Sequence, residues 1–289
     1  MYIATLIAAD LPQGEVSATR DRLDAAGCVP VATDWLEPGV ACDLTFARDP
    51  AAARAALEGQ GIDVVVQPAE HRRKKLIVAD MDSTMITVEC IDELADYAGI
   101  KAEVAAVTEA AMRGELDFEQ ALDARVALLK GLDESVIDRC LAERVTIMPG
   151  ARALVRTMRA HGVTAILVSG GFTRFAEPVA REIRFDRAIA NVLEVADGKL
   201  TGTVTKPIVD SATKLATLSE AMLEFGLMRE ETLAVGDGAN DLAMITQAGL
   251  GVAYHAKPIV AQAAGARIDH GDLSALLYAQ GYKRSEWVL

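Results

Sequence analysis

Apolar positions follow two patterns along the chain, with a change near residue 76. In the first part, short apolar runs alternate with one stretch of helical spacing. Tyr2–Ala8 reads as a strand. Residues 14–26 read as a helix, with Val16, Leu23 and Ala26 inward and Arg20, Arg22 and Asp24 outward. Gly27 ends that helix as a C-terminal cap. Val29–Leu36 and Cys42–Ala47 read as strands around the turn Glu37-Pro38-Gly39. Asp49-Pro50 opens a short Ala-rich helix, and Val64–Val66 reads as a last strand. The order β-α-β-β-α-β is the split, ferredoxin-like arrangement. The basic run Pro68–Lys75 reads as a solvated hinge, and the domain boundary falls there.

From Leu76 the apolar runs become uninterrupted. Leu76-Ile77-Val78-Ala79 leads straight into Asp80 and Asp82, which predicts a buried parallel strand with two carboxylates at its C-terminal end. In a strand, side chains i and i+2 share a face, but a turn after Asp80 would splay the two acids. Ile86–Ala98, Lys101–Arg113, Phe118–Leu129 and Glu134–Arg144 fit helices separated by Gly99, Gly114 and Gly131. That is more helix than a βα crossover needs, and it predicts a helical cap at about 86–148.

Residues 151–161 then read as a helix and Thr164–Val168 as a strand ending in Ser169-Gly170-Gly171. Ala188–Val195 and Lys199–Val204 form a hairpin around Asp197-Gly198. Ser211–Phe225 is helical. Thr232–Val235 is a strand running into Gly236-Asp237-Gly238-Ala239-Asn240-Asp241, followed by a helix to Ala248 and a strand Leu250–Ala253. The expected fold class is α/β. A Rossmann-like parallel sheet with a helical cap insertion occupies residues 71–289, and a small ferredoxin-like α+β domain occupies residues 1–70.

Charge narrows the range of partners. With 29 Lys and Arg against 42 Asp and Glu, the net charge is -13, the wrong sign for nucleic acid. An acidic chain that handles an anionic substrate must bring a cation to its site, as a buried Lys or Arg or as Mg²⁺. No stretch has the apolar length of a membrane helix, and the N-terminus lacks the basic start of a signal peptide. Cys28, Cys42, Cys90 and Cys140 show no metal-ligand spacing and read as reduced thiols of a cytoplasmic protein.

Three apolar strands thus end in polar, small-residue loops, and such loops converge on one crevice of a parallel sheet. Asp80-Met81-Asp82-Ser83-Thr84, then Ser169-Gly170-Gly171, then Lys214, then Gly236-Asp237-Gly238-Ala239-Asn240-Asp241 resembles the haloacid dehalogenase-like phosphatase superfamily. Glu89, Arg125 and the run Met112–Gln120 look like the cap of its phosphoserine phosphatase branch. The resemblance covers the chain from about Lys75 onward. The element order of residues 1–70 is similar to the small amino-acid-sensing ACT domains, which also allows a homodimer.

Taken singly, each motif has a plain reading: Asp-x-Asp and Gly-Asp as turns, Ser-Gly as a tight bend, Lys214 as a solvated helix residue. The ordered combination implies specific roles. Asp80 would be the nucleophile that forms an aspartyl phosphate, and Asp82 the general acid and base. Mg²⁺ would be held by Asp80, the Asp82 main-chain carbonyl and Asp237. Ser169, Gly170 and Lys214 would bind phosphate, with Asn240 and Asp241 orienting Lys214 or metal-bound water. Glu89 would receive a substrate ammonium and Arg125 its carboxylate, while Met112 and Phe118 exclude water.

The implied activity is hydrolysis of O-phospho-L-serine, the last step of serine synthesis. Transfer to another small alcohol, or action on another small phosphorylated metabolite, is the alternative within the superfamily. A signalling receiver also phosphorylates an Asp on an α/β sheet, but the large cap and the acid at Asp82 argue against it.

Overall fold

The structure, a computed structural model, describes residues 1–289 apart from the Met112 side chain, so the expected role of Met112 in the cap lies outside the described residues. The N-terminal unit comprises β1 (Tyr2–Ile7), α1 (Gln13–Ala25), β2 (Pro30–Glu37), β3 (Ala41–Phe46), α2 (Pro50–Ala56) and β4 (Asp63–Pro68). Its four strands are antiparallel in the order β2-β3-β1-β4, the ferredoxin-like arrangement. The Asp49 side chain accepts the Ala52 N–H and Pro50 stands in the first turn, so α2 starts where Asp-Pro dictates.

The second unit begins with β5 (Leu76–Ala79) and a helical excursion: α3 (Cys90–Ala98), α4 (Lys101–Met112), α5 (Phe118–Ala127) and α6 (Ser135–Arg144). It continues with α7 (Ala151–Ala160), β6 (Thr164–Phe172), α8 (Thr173–Ile183), β7 (Arg187–Asn191), β8 (Leu193–Ala196), β9 (Lys199–Val204) and α9 (Ser211–Phe225). It closes with β10 (Thr232–Gly236), α10 (Leu242–Gln247), β11 (Leu250–Tyr254), α11 (Pro258–Ala263), β12 (Ala266–Ile268) and α12 (Ala275–Ala279). Six parallel strands form one sheet in the order β12-β11-β10-β5-β6-β7.

Alternate residues of these strands feed two cores. Ile77, Ala79, Leu167 and Val235 pack with residues of α7, α8 and α12, while Leu76, Val78, Val168 and Ala234 pack with residues of α9 and α10. Burial on both faces is why the strands read as unbroken apolar runs. Strand β5 has β6 on one side and β10 on the other, so a crevice opens at its C-terminal end, where Asp80 lies.

Several boundaries differ from the expectation. Residues 86–89, expected to begin the first cap helix, lie outside α3, which starts at Cys90. Met85 N–H and Ile86 N–H both donate to Met81 O, and Ile86 bridges to Ile147 at the cap exit. The expected 188–195 strand is split at Val192: β7 joins the main sheet, and β8 pairs only with β9 in a two-stranded ribbon. Strand β6 continues through Ser169-Gly170-Gly171 because Phe172 pairs with Asn191 after an irregularity.

The basic run before β5 is not a solvated hinge. Arg72 makes a two-pronged ion pair with Asp43 (2.6 and 2.7 Å) and donates to Thr5 Oγ1 and to the Tyr278 and Ala279 carbonyls. Lys74 is buried, donating to His71 O and Glu230 O. The N-terminal sheet therefore packs on α12, and Ile7, Leu36, Ala41 and Val65 share a core with Leu277 and Tyr278. Among the described residues, no helix is long and apolar enough to cross a membrane.

Candidate active site

Asp80 follows the last residue of β5 and is held by its N–H to Val235 O of the neighbouring strand (3.0 Å). Its Oδ1 lies 2.6 Å from Lys214 Nζ. Lys214 sits in the first turn of α9, whose start is set by Asp210 accepting the Thr213 N–H. The ammonium is sealed from solvent and also lies 2.7 Å from Asp241 Oδ1. Burial opposes its charge, but Asp80 and Asp241 outweigh that and hold it protonated. Asp241 spends its other oxygen on the Gly238 N–H (3.1 Å).

Asp82 is in a different environment. The turn after Asp80 has separated the two acids. Asp82 Oδ2 accepts the Cys90 N–H (3.3 Å), and Oδ1 is buried without a partner. Burial first, then the negative charges of Glu89 and Asp80, push its carboxyl well above the usual carboxylate range. Ser83 follows with a left-handed backbone (φ 56°), and its hydroxyl donates to Glu89 Oε1 (2.7 Å). Burial also raises the Glu89 carboxyl, with the Ser83 bond opposing.

Asp237 completes an acidic group. Single oxygens of Asp80, Asp237 and Asp241 lie within 4.8 Å of one another. Thr84 Oγ1 donates to Asp237 Oδ1 (3.2 Å). Burial, then Asp80 and Glu89, push the Asp237 carboxyl up to about 6. Hard oxygen donors in an environment with too much negative charge fit a hard divalent cation. Asp80, Asp237 and the Asp82 carbonyl would hold it, with Asp241 adjacent but committed to Lys214.

These groups open onto a cavity of about 650 Å³ whose lining includes Asp80, Asp82, Glu89, Arg125, Ser169 and Asn240. Ser169 Oγ accepts the Gly171 N–H (2.9 Å). Phe118 lies over Gly170, where an added Cβ would stand 3.2 Å from its ring and the ring would have to give by a few tenths of an ångström. Arg125 is half-buried on α5, and its Nε donates to Ala121 O (3.2 Å). Burial disfavours its charge, while Asp92, Glu89 and Asp82 support it.

Every described residue expected at the site is thus at or beside one cavity. Four further residues were not anticipated. Asn191 is buried, donates to Gly170 O and accepts the Val209 N–H (both 2.8 Å), and so ties the Ser169–Gly171 loop to the segment entering α9. Asp92 lines the cavity one turn after Glu89. Lys257 also lines it, and its N–H donates to Asp237 O (3.2 Å). Cys90 carries the Asp82 contact. Of these, only Asp92 had a sequence signal, its i, i+3 spacing from Glu89.

The model of the haloacid dehalogenase-like hydrolase family matches residues 77–246, more than half the chain and all three strand-end loops of the site. The chain belongs to the haloacid dehalogenase-like hydrolase family. The chain is similar to the phosphoserine phosphatase of Streptomyces coelicolor, 48% identical over 239 residues, which cover 83% of this chain and 58% of that one. It is also similar to a phosphoserine phosphatase of Mycobacterium tuberculosis, 45% identical over 251 residues, covering 86% and 60%. The chain therefore spans about three fifths of the length of these relatives. Among solved structures, a probable phosphoserine phosphatase from Vibrio cholerae superimposes with a TM-score of 0.79 at 34% identity, covering 99% of this chain and 87% of that one.

Proposed function

We propose that this hydrolase cleaves O-phospho-L-serine to L-serine and phosphate with Mg²⁺, the last step of serine synthesis. The observation that carries the reading is one cavity lined both by the Asp80, Asp82 and Asp237 group and by the cap residues Glu89 and Arg125. A phosphorylated amino acid offers a phosphate, an ammonium and a carboxylate, and this lining offers a partner to each. The relatives' names support the same substrate.

In the proposed reaction, Lys214 and the Ser169–Gly171 loop hold the phosphate. An Asp80 oxygen attacks phosphorus and the bond from phosphorus to the serine oxygen breaks. Asp82 passes its proton to that oxygen, releasing serine and leaving an aspartyl phosphate. Water then attacks phosphorus, Asp82 takes its proton back, and the bond to Asp80 breaks. The two environments support this division of labour. Asp80 faces a lysine, whereas burial and the charges of Glu89 and Asp80 raise the Asp82 carboxyl and favour its acid form. Bound Mg²⁺ would screen Asp80 from the incoming phosphate and polarise a phosphoryl oxygen.

Residues 1–70 are proposed as an ACT-like unit with a regulatory or dimerising role, supported by the strand order β2-β3-β1-β4. Residues 71–289 would form the phosphatase domain, with its cap at about 86–148. Four buried, unpaired cysteines support a cytoplasmic setting.

A panel of phosphorylated amino acids and sugars, assayed for phosphate release with and without Mg²⁺, tests the proposal. Metal-dependent preference for O-phospho-L-serine is expected. Preference for a sugar phosphate would overturn the substrate assignment.

A further inference from the structure

We propose that Cys90 is a positioning residue for Asp82, acting through its main-chain N–H. The inference rests on the phosphatase reading and assigns a residue to proton transfer within it.

Cys90 is the first residue of α3, the helix that opens the cap, and its N–H has no partner within the helix. It donates to Asp82 Oδ2 (3.3 Å), and the thiol lies beside the same carboxylate. Two further contacts close the loop between them. Ser83 N–H donates to Val88 O (3.3 Å), and Ser83 Oγ donates to Glu89 Oε1 (2.7 Å). The Cys90 side chain is buried in the core that joins cap to sheet. Residues 82–90 are therefore one clipped unit, seated through Cys90.

The consequence is that the two Asp82 oxygens are not equivalent. Oδ2 is anchored to the helix start, whereas Oδ1 is buried with no protein partner, so the Cys90 N–H is the bond that fixes the carboxyl of this cavity-lining residue. The Asp82 carboxyl that delivers the proton to the leaving alcohol is held by this one bond, and its aim depends on α3 being seated. A carboxylate free to rotate would lose that aim.

The backbone allows the N–H to be removed by itself. Proline is accepted at the first position of a helix, where it removes only an unneeded donor. Glu89, with φ -91° and ψ 111°, is already extended, as the residue before a proline must be. Cys90→Ala removes the thiol and keeps the N–H; Cys90→Pro removes both, so their difference isolates the N–H.

The measurement is kcat/KM of the whole 289-residue chain, which covers steps up to leaving-group departure, on an alkyl phosphate and on p-nitrophenyl phosphate. The nitrophenolate leaves without a proton. Relative to Cys90→Ala, Cys90→Pro should lose about tenfold or more on the alkyl ester and little on the aryl ester. Equal losses on both, or none, would overturn the role. An inactive wild-type chain on every phosphate ester would overturn the phosphatase reading as well, a distinguishable result. A second measurement does not depend on the proline variant folding. Amide exchange of Cys90 should quicken in Asp82→Ala, and unchanged exchange would overturn the contact.

Discussion

Lys214 Nζ, shut away from water, lies 2.6 Å from Asp80 Oδ1 at the cavity floor, and Asp241 holds the same ammonium at 2.7 Å. Two buried carboxylates thus share one buried cation. Removing that cation leaves charges that burial will not tolerate. Lys214→Met should lower the free energy of unfolding by about 3–5 kcal/mol, measured by denaturant titration. Adding Asp241→Asn should recover part of the loss; no recovery would mean the pair is not coupled through Lys214.

Arg125 sits on α5 at the cavity wall, and among the described residues no carboxylate is bonded to it. If it reads the substrate carboxylate, Arg125→Ala should cost about 1.5–3 kcal/mol of transition-state binding on O-phospho-L-serine, roughly ten- to a hundredfold in kcat/KM. A phosphate ester without a carboxylate should be nearly unaffected. Equal losses on both would assign Arg125 to cap packing.

Asp237 supplies a pH dependence. Its carboxyl is raised to about 6, so between the ordinary Asp range and pH 6 the folded protein holds a proton there that the unfolded chain has released. A cation must displace that proton. Magnesium affinity, followed by calorimetry, should therefore fall as pH drops below about 6 and level off above it. Asp237→Asn should bind weakly at every pH. Affinity independent of pH from 5 to 7 would exclude Asp237 as a ligand.

The N-terminal unit is a fixed part of the molecule. Its sheet shares a core with α12, and Arg72 binds Asp43, Thr5 and two α12 carbonyls at once. Deleting residues 1–70 exposes Leu277 and Tyr278 and should give insoluble or unfolded protein. Arg72→Ala in the full chain should lose about 3–5 kcal/mol by leaving the buried Asp43 carboxylate without its cation. A soluble, folded deletion variant would contradict this packing.

These packing facts mark the limit of what a sequence reading can reach. The three strand ends were legible because an apolar run meeting acids or glycines is a local signal, and Asp80, Ser169 and Asp237 are where it pointed. Lys214 was found through its order among motifs, but its burial between Asp80 and Asp241 was not visible. Asn191 and Lys257 gave no signal, since what matters in them is a contact with a loop distant in sequence. The basic run before β5 misled for the same reason: Arg72 looks solvated until Asp43, 29 residues away in sequence, is folded beside it. Strand β12 and helices α11 and α12 were missed because three to six residues are too short to show periodicity.

The central claim is that Asp80 carries the phosphoryl group of O-phospho-L-serine. Acid quenching of the enzyme during turnover, followed by borohydride reduction and peptide mass spectrometry, tests it directly. An acyl phosphate on Asp80 would be reduced to an alcohol at that position alone, and Asp80→Asn should show neither the mark nor turnover. Turnover of O-phospho-L-serine with Asp80 unmodified, or an Asp80→Asn variant of full activity, would contradict the account.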